Sequence, residues 1–382
     1  MVDVCVVGLG TLGRATAALL TRGGARVHGV DTDPARLDLL ADPGVALEPG
    51  LAALLAEALD AGLTVGGSPV PAAATVIAVP TPLSADAPDL TALWSAVRAI
   101  RPHQRPGDLV LIESTCPVGT ADAVAAALPG SRVATCPERA MPGQLLAELV
   151  GTDRIVGGVT AHAAEAAARV YGLFITGQIH RTDARTAELT KLVENASRAV
   201  LVAFANEVAM LADAVGVDPW EVRTLANHHP RVNLLRPGPG VGGHCLPVDP
   251  LFLAHAHPEV ARMVRAAAQT DVARRRWVVD QVVRAAALHP GPVVCLGLAY
   301  KADVSDLRGS AALHVVRDLR AALGDRVRAV DPHVIPPSDV PVIDLVQALD
   351  GAALVVALVA HTVFRGVDLG GVPRIDVAGV YR

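Results

Sequence analysis

The sequence lacks the patterns typical of disulfide-stabilised, zinc-binding and membrane-spanning proteins. Its five cysteines contain no CxxC pair, and they are Cys5, Cys116, Cys136, Cys245 and Cys295. Their odd number and their spacing argue against a disulfide framework and a structural zinc site, so we expect no bound metal. No apolar run is long and uninterrupted enough to span a bilayer. We therefore expect a protein of the reducing cytoplasm.

The sequence is also short of positive charge. The formal net charge is −5, so no bulk attraction draws the chain to nucleic acid or to an anionic membrane. The opening residues MVDVCVVGLG show no basic region and no cleavage pattern, so we expect no secretory signal. The 382 residues are 52% hydrophobic and 19% charged, which suits two or three globular domains with large cores.

The first motif that is present is a glycine-rich turn. Val2–Val7 predicts a buried parallel strand, the string GLGTLG supplies Gly8, Gly10 and Gly13, and Arg14–Arg22 predicts a helix. Such glycines permit a tight turn, close approach of a pyrophosphate and close packing of helix on strand. The helix N-terminus adds free N–H groups for phosphate. The motif predicts a dinucleotide site, and a nucleotide-free doubly wound domain is the alternative.

An acidic residue follows at the position that binds the adenosine ribose in dinucleotide-binding domains. The next predicted strand, Arg26–Val30, ends at Asp31, close to the offset of roughly 20 residues seen for the acid that binds the adenosine ribose. A carboxylate there repels a 2′-phosphate, so we predict NAD as the cofactor. Arg36 leaves NADP open, because its charge can offset that repulsion.

Three further predicted strands each end in a polar or proline-rich loop. They are Thr75–Val79, Leu109–Glu113 and Arg132–Thr135, and their loops carry Thr81, Thr115 and Glu138. Ligands of open α/β sheets bind beyond the carboxyl ends of the strands, so these side chains are predicted to face the cofactor cleft. For Thr115 the alternative is a helix cap. Glu138 is either a general base for water or a surface charge.

A long helix is predicted from Asp183 until Gly216 closes it. Lys191, Asn195 and Arg198 stand at i, i+4 and i+7 and therefore share one helix face. Lysine, asparagine and arginine together suit phosphate, sugar hydroxyls or an oxyanion. A solvated outer face is the alternative.

A single thiol ends the densest glycine loop of the chain. The segment Pro237–Pro250 is PGPGVGGHCLPVDP, in which Cys245 follows His244 and precedes Asp249 by four residues. Glycine and proline at this density predict an irregular loop that backbone and ligand can approach closely. The thiol can then face a substrate while Asp249 moves a proton or orients water. A buried structural cysteine is the alternative.

The last third of the chain predicts a second doubly wound sheet. A long helix over Glu259–Leu288 precedes an apolar strand, Pro292–Leu298, and the loop AYKADVSDLRGS carries Lys301 and Arg308. This part lacks GxGxxG, so we expect its loop to hold a nucleotide or sugar phosphate, with plain surface charges as the alternative. The predicted fold is α/β, with two Rossmann-like domains joined by long helices that offer a dimer surface. The predicted domains are 1–182, 183–288 and 289–382.

Taken in order, these motifs resemble the UDP-glucose/GDP-mannose dehydrogenase family over essentially the whole chain. The strings that carry the resemblance are GLGTLG, PTPL, STCPVGT, CPERAMPG, TAELTKLVENASR, ANHHPRVN, PGPGVGGHCLPVDP and YKADVSDLRGS. They look most similar to the branch that oxidises UDP-N-acetyl-D-mannosamine. Arg308 is followed by Gly309 where a glutamate is usual, and IDVAGVYR lacks an arginine often found there, which leaves the exact sugar open.

The resemblance implies an NAD-dependent, four-electron oxidation of a UDP-sugar at C6, carried out by a homodimer. Cys245 would be the nucleophile, Lys191 and Asn195 would stabilise an oxyanion, and the proton and water roles would fall to Asp249, Glu138 and Thr115. The positions that match the NAD side are Gly8, Gly10, Thr11, Leu12, Gly13, Asp31, Arg36, Thr81, Thr115 and Arg308. The positions that match the sugar side are Arg139, Ala140, Lys191, Asn195, Arg198, His229, Arg231, Gly242, Tyr300 and Lys301.

Two other hypotheses remain open from the residues. One is a two-electron alcohol dehydrogenase, which would release an aldehyde or ketone instead of a carboxylate, or a different acyl-type chemistry at the same thiol. The other is a nucleotide-sugar sensor that keeps the fold without catalysis.

Overall fold

The computed structural model describes residues 2–41, 48–85, 87–140, 143–337 and 339–382. The chain forms two compact units, Met1–Glu194 and Asn195–Arg382. Their boundary falls inside one continuous helix. The predicted domain boundaries at 182/183 and 288/289 stay predictions.

The first unit alternates strands and helices along its length. Its elements are β1 (Val2–Val7), α1 (Thr11–Arg22), β2 (Val27–Val30), α2 (Pro34–Ala41), α3 (Leu51–Asp60), β3 (Thr64–Gly66), β4 (Ala72–Ile77), β5 (Leu83–Ser84), β6 (Ala87–Pro88), α4 (Thr91–Ile100), β7 (Leu109–Ile112), α5 (Thr120–Ala127), β8 (Arg132–Thr135), α6 (Leu145–Gly151), β9 (Arg154–Gly158), α7 (Ala161–Tyr171) and β10 (Ile179–Asp183). Helix α8 (Ala184–Val215) begins here and continues into the second unit.

An eight-stranded sheet forms the centre of the first unit, in the order β10-β9-β8-β7-β4-β1-β2-β3. β1 pairs in parallel with both β2 and β4, and Val7 lies opposite Val30 and Ile77. Within this sheet, β8 and β9 are the one antiparallel pair among the described strands, and β5 and β6 form a separate antiparallel pair. Apolar side chains of α1, α3 and α7 pack on one face, and those of α4 and α5 pack on the other. β2 and β3 lie on one side of β1, and β4 lies on its other side. Open α/β sheets bind ligands at such a switch in strand order.

Helix α1 begins earlier than the sequence predicted. It starts at Thr11 instead of Arg14, because Gly10 has extended backbone and acts as the N-cap. Gly13 therefore lies inside the helix in spite of its low helix propensity. A Cβ there would stand 1.8 Å from the Gly8 carbonyl oxygen, so only glycine lets helix and strand pack this closely.

The second unit contains the remaining helices and a smaller sheet. Its elements are α9 (Pro219–Ala226), α10 (Asp249–Ala256), α11 (Arg262–Leu288), β11 (Val293–Leu296), α12 (Ala311–Leu323), β12 (Val327–Val330), α13 (Leu345–Leu349), β13 (Leu354–Ala357) and β14 (Arg374–Asp376). The four strands are parallel in the order β12-β11-β13-β14, with α11 and α12 on one face. α13 and the C-terminal segment cover the other face.

The predicted fold class is confirmed by these two parallel sheets and the long helices α8 and α11. Gly216 ends α8 with a positive φ of 78°, as the sequence predicted. Across the part of the chain that the structure describes, no helix combines the length and apolarity needed to cross a membrane.

Candidate active site

The glycine turn after β1 is shaped for a phosphate. Gly8 has a φ of +96°, its N–H donates to Val30 O at 2.8 Å, and a Cβ on it would stand 2.5 Å from the Ala78 carbonyl oxygen. Gly10 differs, because a Cβ built on it would meet no atom within 4 Å. The open side of Gly10 lies at the start of α1, where free N–H groups favour anions. The predicted contacts Thr11 and Leu12 are the first two residues of α1.

Asp31 is fixed beside this turn at the end of β2. It is 7% exposed, and its Oδ2 accepts from the Leu9 N–H at 2.8 Å. Its Oδ1 accepts from the Asp33 N–H at 3.0 Å, and Arg36 Nη1 lies 3.4 Å from Oδ2. A held carboxylate beside an open glycine turn fits the adenosine ribose and pyrophosphate of NAD.

Arg14 was missed from the sequence. It lies one turn after Gly10 in α1, is 7% exposed and donates from Nε to Gly10 O at 3.4 Å. Its buried Nη1 has no hydrogen-bond partner among the described residues. Burial lowers the pKa of Arg14, the charge of Arg36 lowers it further, and Asp31 opposes the shift. The available signal was a charged residue in the first turn of a helix that consists mostly of alanine, leucine and threonine.

The loops after β4 and β7 are joined at the carboxyl edge of the sheet. Thr81 Oγ1 donates to Thr115 O at 2.6 Å. Ser114 Oγ accepts from the Val79 N–H at 2.9 Å and donates to Val79 O at 2.7 Å. The structure thus brings Thr81 and Thr115 together at this edge, both partly buried.

Glu188 joins α8, the helix that carries Lys191, to the loop that follows Thr115. Its carboxylate accepts from Gly119 N at 2.6 Å and from Ala121 N at 2.8 Å, at the start of α5. Burial raises the pKa of Glu188 to about 7, against the lowering effect of these two N–H groups. Lys191 follows three residues later and is partly exposed. This long-range contact was not visible in the sequence, although Glu188 lies within the string TAELTKLVEN.

Glu138 is not a plain surface charge. Its side chain is 14% exposed, Oε1 accepts from the N–H groups of Arg139 and Ala140, and Arg154 Nη1 lies 3.6 Å away. Its other oxygen, Oε2, is buried and has no hydrogen-bond partner in the described structure. Arg139 itself pairs with Glu194 of α8 at 2.7 Å.

A buried network supports Glu138 from behind. Arg154 reaches Glu113 Oε1 at 3.3 Å and donates from Nε to Cys136 Sγ at 3.1 Å. Tyr171 Oη donates to Glu113 Oε1 at 2.9 Å, and Thr16 Oγ1 donates to Oε2 at 3.0 Å. Burial raises the pKa of Glu113 to about 6, although Arg154 and Tyr171 oppose the rise. This group fixes the ends of β7 and β8, from which the site loops leave.

Cys245 lies at the second unit's glycine loop and is partly exposed, whereas the other four cysteines are buried. Its carbonyl oxygen accepts from Val248 N at 3.0 Å and Asp249 N at 2.8 Å, so Cys245 opens the turn into α10. Asp249 is 4% exposed, and Asn195 Nδ2 donates to its Oδ2 at 2.5 Å. Cysteine, aspartate and asparagine therefore come together, while Arg198 lies exposed on α8.

The glycine loop rests on Tyr300 and its neighbours. The Gly243 N–H donates to Arg308 O at 2.9 Å. A Cβ on Gly242 would stand 2.7 Å from the Cβ of Tyr300, and one on Gly243 would stand 3.2 Å from its ring. Lys301 follows as an exposed side chain, and Arg308 pairs with Asp306 at 2.5 Å. The structure thus places the predicted Gly242 and Tyr300 against each other.

Asp331 holds the base of the loop that carries Tyr300. Its Oδ2 accepts from Leu298 N at 2.7 Å, Ala299 N at 3.0 Å and His361 Nε2 at 3.1 Å. Burial tends to raise the pKa of Asp331, but the His361 and backbone hydrogen bonds lower it to about 2. His361 Nδ1 accepts from Asp303 N at 2.9 Å, so both its nitrogens are engaged. No lone pair is left on His361 for a metal ion.

His229 and Arg231 lie exposed in the segment that follows α9. The segment is closed by Asn227, whose Oδ1 accepts from Leu234 N at 2.7 Å and whose Nδ2 donates to Leu234 O at 2.9 Å. The Arg231 N–H donates to His229 Nδ1 at 3.3 Å, and the His229 backbone bonds to Ala226 O and Val232 N.

Three family models match nearly the whole chain. Their descriptions are the NAD binding domain, the central domain and the UDP binding domain of the UDP-glucose/GDP-mannose dehydrogenase family. The matched residues are 2–175, 185–272 and 294–378.

Individual relatives agree with this match. An NDP-N-acetyl-D-galactosaminuronic acid dehydrogenase of Ralstonia solanacearum is 43% identical over 96% of this chain and 92% of the relative. A UDP-N-acetyl-D-mannosamine dehydrogenase of Escherichia coli K12 is 37% identical over 99% of each chain. The structure of a UDP-D-ManNAc dehydrogenase from Pyrococcus horikoshii has a TM-score of 0.93 and 34% identity, covering 100% of this chain and 96% of that one.

Proposed function

The chain belongs to the UDP-glucose/GDP-mannose dehydrogenase family and is an NAD-dependent nucleotide-sugar dehydrogenase, and we propose that it oxidises the C6 alcohol of a UDP-N-acetylhexosamine to the carboxylate. The single observation that carries the proposal is Cys245. It is the partly exposed thiol at the end of a glycine loop; Asp249 lies four residues later, and its buried carboxylate accepts a hydrogen bond from Asn195.

An aldehyde cannot release a second hydride until a nucleophile adds to it, and a thiol that adds also keeps the intermediate covalently bound to the protein. The C6 alcohol first loses a proton and a hydride to become the aldehyde. The Cys245 thiolate then forms a bond to the aldehyde carbon, and the oxygen takes a proton, which gives a thiohemiacetal. Loss of a second proton and hydride gives a thioester. NAD, when bound, accepts a hydride in each oxidation.

Water completes the reaction by attacking the thioester carbon, and the carbon–sulfur bond breaks to regenerate the thiolate. Glu138 is the residue proposed to take the proton of this water, because its buried Oε2 has no partner in the described structure. Thr115 would help to place the water. Lys191 and Asn195 would stabilise the oxyanion that develops at C6, and Asp249 would move the proton of the alcohol.

Binding of the two ligands is proposed for the residues that match the family positions. Gly8, Gly10, Gly13 and Asp31 would hold the NAD pyrophosphate and ribose, and the other positions that match the NAD side are Thr11, Leu12, Arg36, Thr81 and Arg308. The sugar nucleotide would be held by Arg139, Ala140, Arg198, His229, Arg231, Gly242, Tyr300 and Lys301. The polar types in this second set suit phosphate oxygens and sugar hydroxyls.

The proposed substrate is UDP-N-acetyl-D-mannosamine, with UDP-N-acetyl-D-galactosamine as the second candidate. The first rests on the motif strings and on the relatives named for mannosamine. The second rests on the 43% identical Ralstonia relative, whose name specifies N-acetylgalactosaminuronic acid. UDP-glucose and UDP-N-acetylglucosamine complete the set of alternatives to be assayed.

A homodimer is proposed from the outer face of α8. Six exposed apolar side chains follow one face of this helix, and they are Leu189, Val193, Leu201, Phe204, Leu211 and Val215. An apolar stripe of this length on a long helix suits packing against the same helix of a second copy.

The deciding assay measures NADH released per sugar for each of the four UDP-sugars. Four-electron oxidation gives two NADH and a uronic acid with the preferred sugar. A single NADH with an aldehyde or ketone product would establish the two-electron alternative instead. Cys245→Ser should stop the reaction before the carboxylate forms, and binding without any turnover of the four sugars would support a sensor.

A further inference from the structure

A small cavity of about 240 Å³ lies within the second unit, among α8, α9, α11 and the C-terminal strand. Its walls include Trp220, Trp277, Arg274, Arg374, Asp213 and Asp376. None of these residues belongs to the proposed catalytic or cofactor positions. We call it the tryptophan cavity.

The cavity contains a buried guanidinium that has no ion-pair partner among the residues that the structure describes. Arg274 is 5% exposed, and within the described chain it forms no ion pair; its one hydrogen bond runs from Nε to Gly238 O at 3.0 Å. Burial lowers the pKa of Arg274, and the charge of Asp213 only partly opposes this. A buried guanidinium is costly unless an anion or several acceptors surround it.

The carboxylates of the cavity are already used by the chain. Asp213 Oδ2 accepts from Trp277 Nε1 at 3.1 Å. Asp376 accepts from Val380 N at 2.8 Å and Tyr381 N at 2.9 Å. Arg374 stacks on the Tyr381 ring and, like Arg274, has no ion pair among the described residues. Two guanidinium groups therefore remain available to an anion.

The aromatic walls are held in place. Trp220 is 8% exposed, and its ring lies within 2.5 Å of where a Cβ of Gly379 would stand, so the C-terminal segment packs directly on it. The Nε1 hydrogen bond of Trp277 fixes the second indole. Rigid aromatic surfaces beside a desolvated cation suit a ligand that has one apolar ring and one anionic group.

We propose that the tryptophan cavity is a second ligand site, which binds a small aromatic carboxylate with its anion against Arg274 and its ring against Trp277. The volume lies below the range of roughly 300–1,000 Å³ typical of larger ligands, so a single ring is the expected size. Pro237 also lines the cavity, and Gly238 accepts the Arg274 hydrogen bond. The ligand therefore acts on the first residues of the loop that leads to Cys245.

Benzoate and its neutral counterpart benzamide test the site by tryptophan fluorescence. The chain has three tryptophans, so Trp94→Phe leaves a signal from Trp220 and Trp277 alone. Benzoate should give a saturable change with a dissociation constant on the order of 1 mM, as expected for so small a ligand. Benzamide should bind about tenfold more weakly, because it lacks the charge. No saturable benzoate response, or an equal response to benzamide, would overturn the proposal.

Arg274→Met should weaken benzoate about tenfold or more. Arg276→Met is the matched control, because Arg276 is exposed on the same helix two residues away, and it should bind benzoate as before. Unchanged affinity in a folded Arg274→Met chain would contradict the assignment. If that variant does not fold, Arg374→Gln should weaken benzoate about threefold or more, and undiminished affinity there would count against the site.

The alkylation rate of Cys245 tests whether a ligand in the tryptophan cavity affects the loop that carries this cysteine. Saturating benzoate should change the rate at which iodoacetamide alkylates Cys245, and the change should be absent in Arg274→Met or, failing its folding, reduced in Arg374→Gln. An alkylation rate that is the same with and without bound benzoate would overturn the coupling.

Discussion

Asn195 donates its side-chain N–H to Asp249 at 2.5 Å, and the carboxyl group that receives it is almost fully buried. The pair joins α8 to the first residue of α10, four residues after Cys245. A buried carboxylate that loses its donor retains an unmet desolvation cost. The geometry behind the thiol thus depends on an amide from a distant part of the sequence.

Asn195→Ala should therefore destabilise the chain and slow turnover together. We expect a loss of about 1–3 kcal/mol in the free energy of unfolding, because Asp249 loses its amide donor. Urea denaturation and NADH release measure the two effects. Ser197→Ala, an exposed change two residues along α8, is the control and should leave both unchanged. Wild-type stability in Asn195→Ala would show that the hydrogen bond contributes nothing.

Alkylation should select one cysteine. Because Cys245 is partly exposed and the other four are buried, one equivalent of iodoacetamide label is expected in the native chain. Intact-mass and peptide mass spectrometry locate the label, and enzyme activity should fall in step with it. Cys245→Ser should take up no label under the same conditions. Rapid labelling of Cys5, Cys116, Cys136 or Cys295 would contradict the burial pattern.

Gly10→Ala should separate cofactor binding from folding. A Cβ at this position meets no atom of the described chain within 4 Å and Gly10 has a φ of −62°, so the variant should melt at the wild-type temperature. The methyl group would nevertheless fill the approach to the glycine turn and raise the KM for NAD about tenfold or more.

Gly151→Ala provides the matched control for that change. Its Cβ is equally unobstructed, but Gly151 ends α6 just before β9, four strands away from β1 in the sheet, so NAD kinetics should not change. Gly13→Ala should instead damage the fold, because its Cβ would stand 1.8 Å from the Gly8 oxygen. A wild-type KM in Gly10→Ala would place the pyrophosphate elsewhere.

Glu188 should make stability depend on pH near neutrality. Its pKa is about 7 in the folded chain, above the ordinary value near 4.3, so the folded state binds this proton more tightly. The stabilisation is complete below about pH 4.3 and is lost as pH rises through 7, by up to roughly 3 kcal/mol. Urea denaturation at pH 5 and pH 8 measures it.

Glu188→Gln removes that titration, so the stability difference between wild type and variant should shrink or reverse as pH rises from 5 to 8. Glu57→Gln, an exposed change on α3, should leave the pH dependence of the wild type intact. Parallel pH profiles for wild type and Glu188→Gln would assign the titration to another group, of which Glu113 is the nearest in character.

Phe204→Lys should disrupt the proposed dimer. Phe204 is 57% exposed in the centre of the apolar stripe on α8, so a charge there would oppose burial against a second copy. Light scattering after gel filtration should report a dimer for the wild type and a monomer for the variant. Glu57→Lys is a control that should remain dimeric, since Glu57 is exposed on α3 and does not belong to the stripe on α8. A monomeric wild type would refute the proposal.

The sequence predicted those parts of the fold whose cause is local. The β1 strand, the glycine turn, Asp31 and the end of α8 at Gly216 all follow from apolar runs, positive φ or helical spacing. The short strands β9 and β10 were missed. β9 ends in two glycines and runs antiparallel to β8, and β10 is a mostly polar edge strand, so neither has a clear strand pattern.

The supporting contacts of the candidate site could not be predicted for a different reason. Glu188 meets Gly119 and Ala121 across 67 or more residues, and Arg154 meets Glu113 across 41. Such pairs are set by how the sheet stacks its strands and helices, and no local spacing records them. The motif residues could be recognised in the sequence because their residue types are unusual there. The residues that support them in the structure are of common types and therefore do not stand out.

The two parallel sheets have one kind of hydrogen bond in common, in which a backbone N–H that follows the first strand donates to an aspartate that follows the neighbouring strand. In the first, Asp31 receives the Leu9 N–H at 2.8 Å, and in the second Asp331 receives the Leu298 N–H at 2.7 Å. The second acid also takes Ala299 and His361, and so serves as an internal brace instead of a reader of ribose. Because both oxygens of Asp331 are engaged inside the fold, the nucleotide binding proposed for the second unit would rest on its loop side chains.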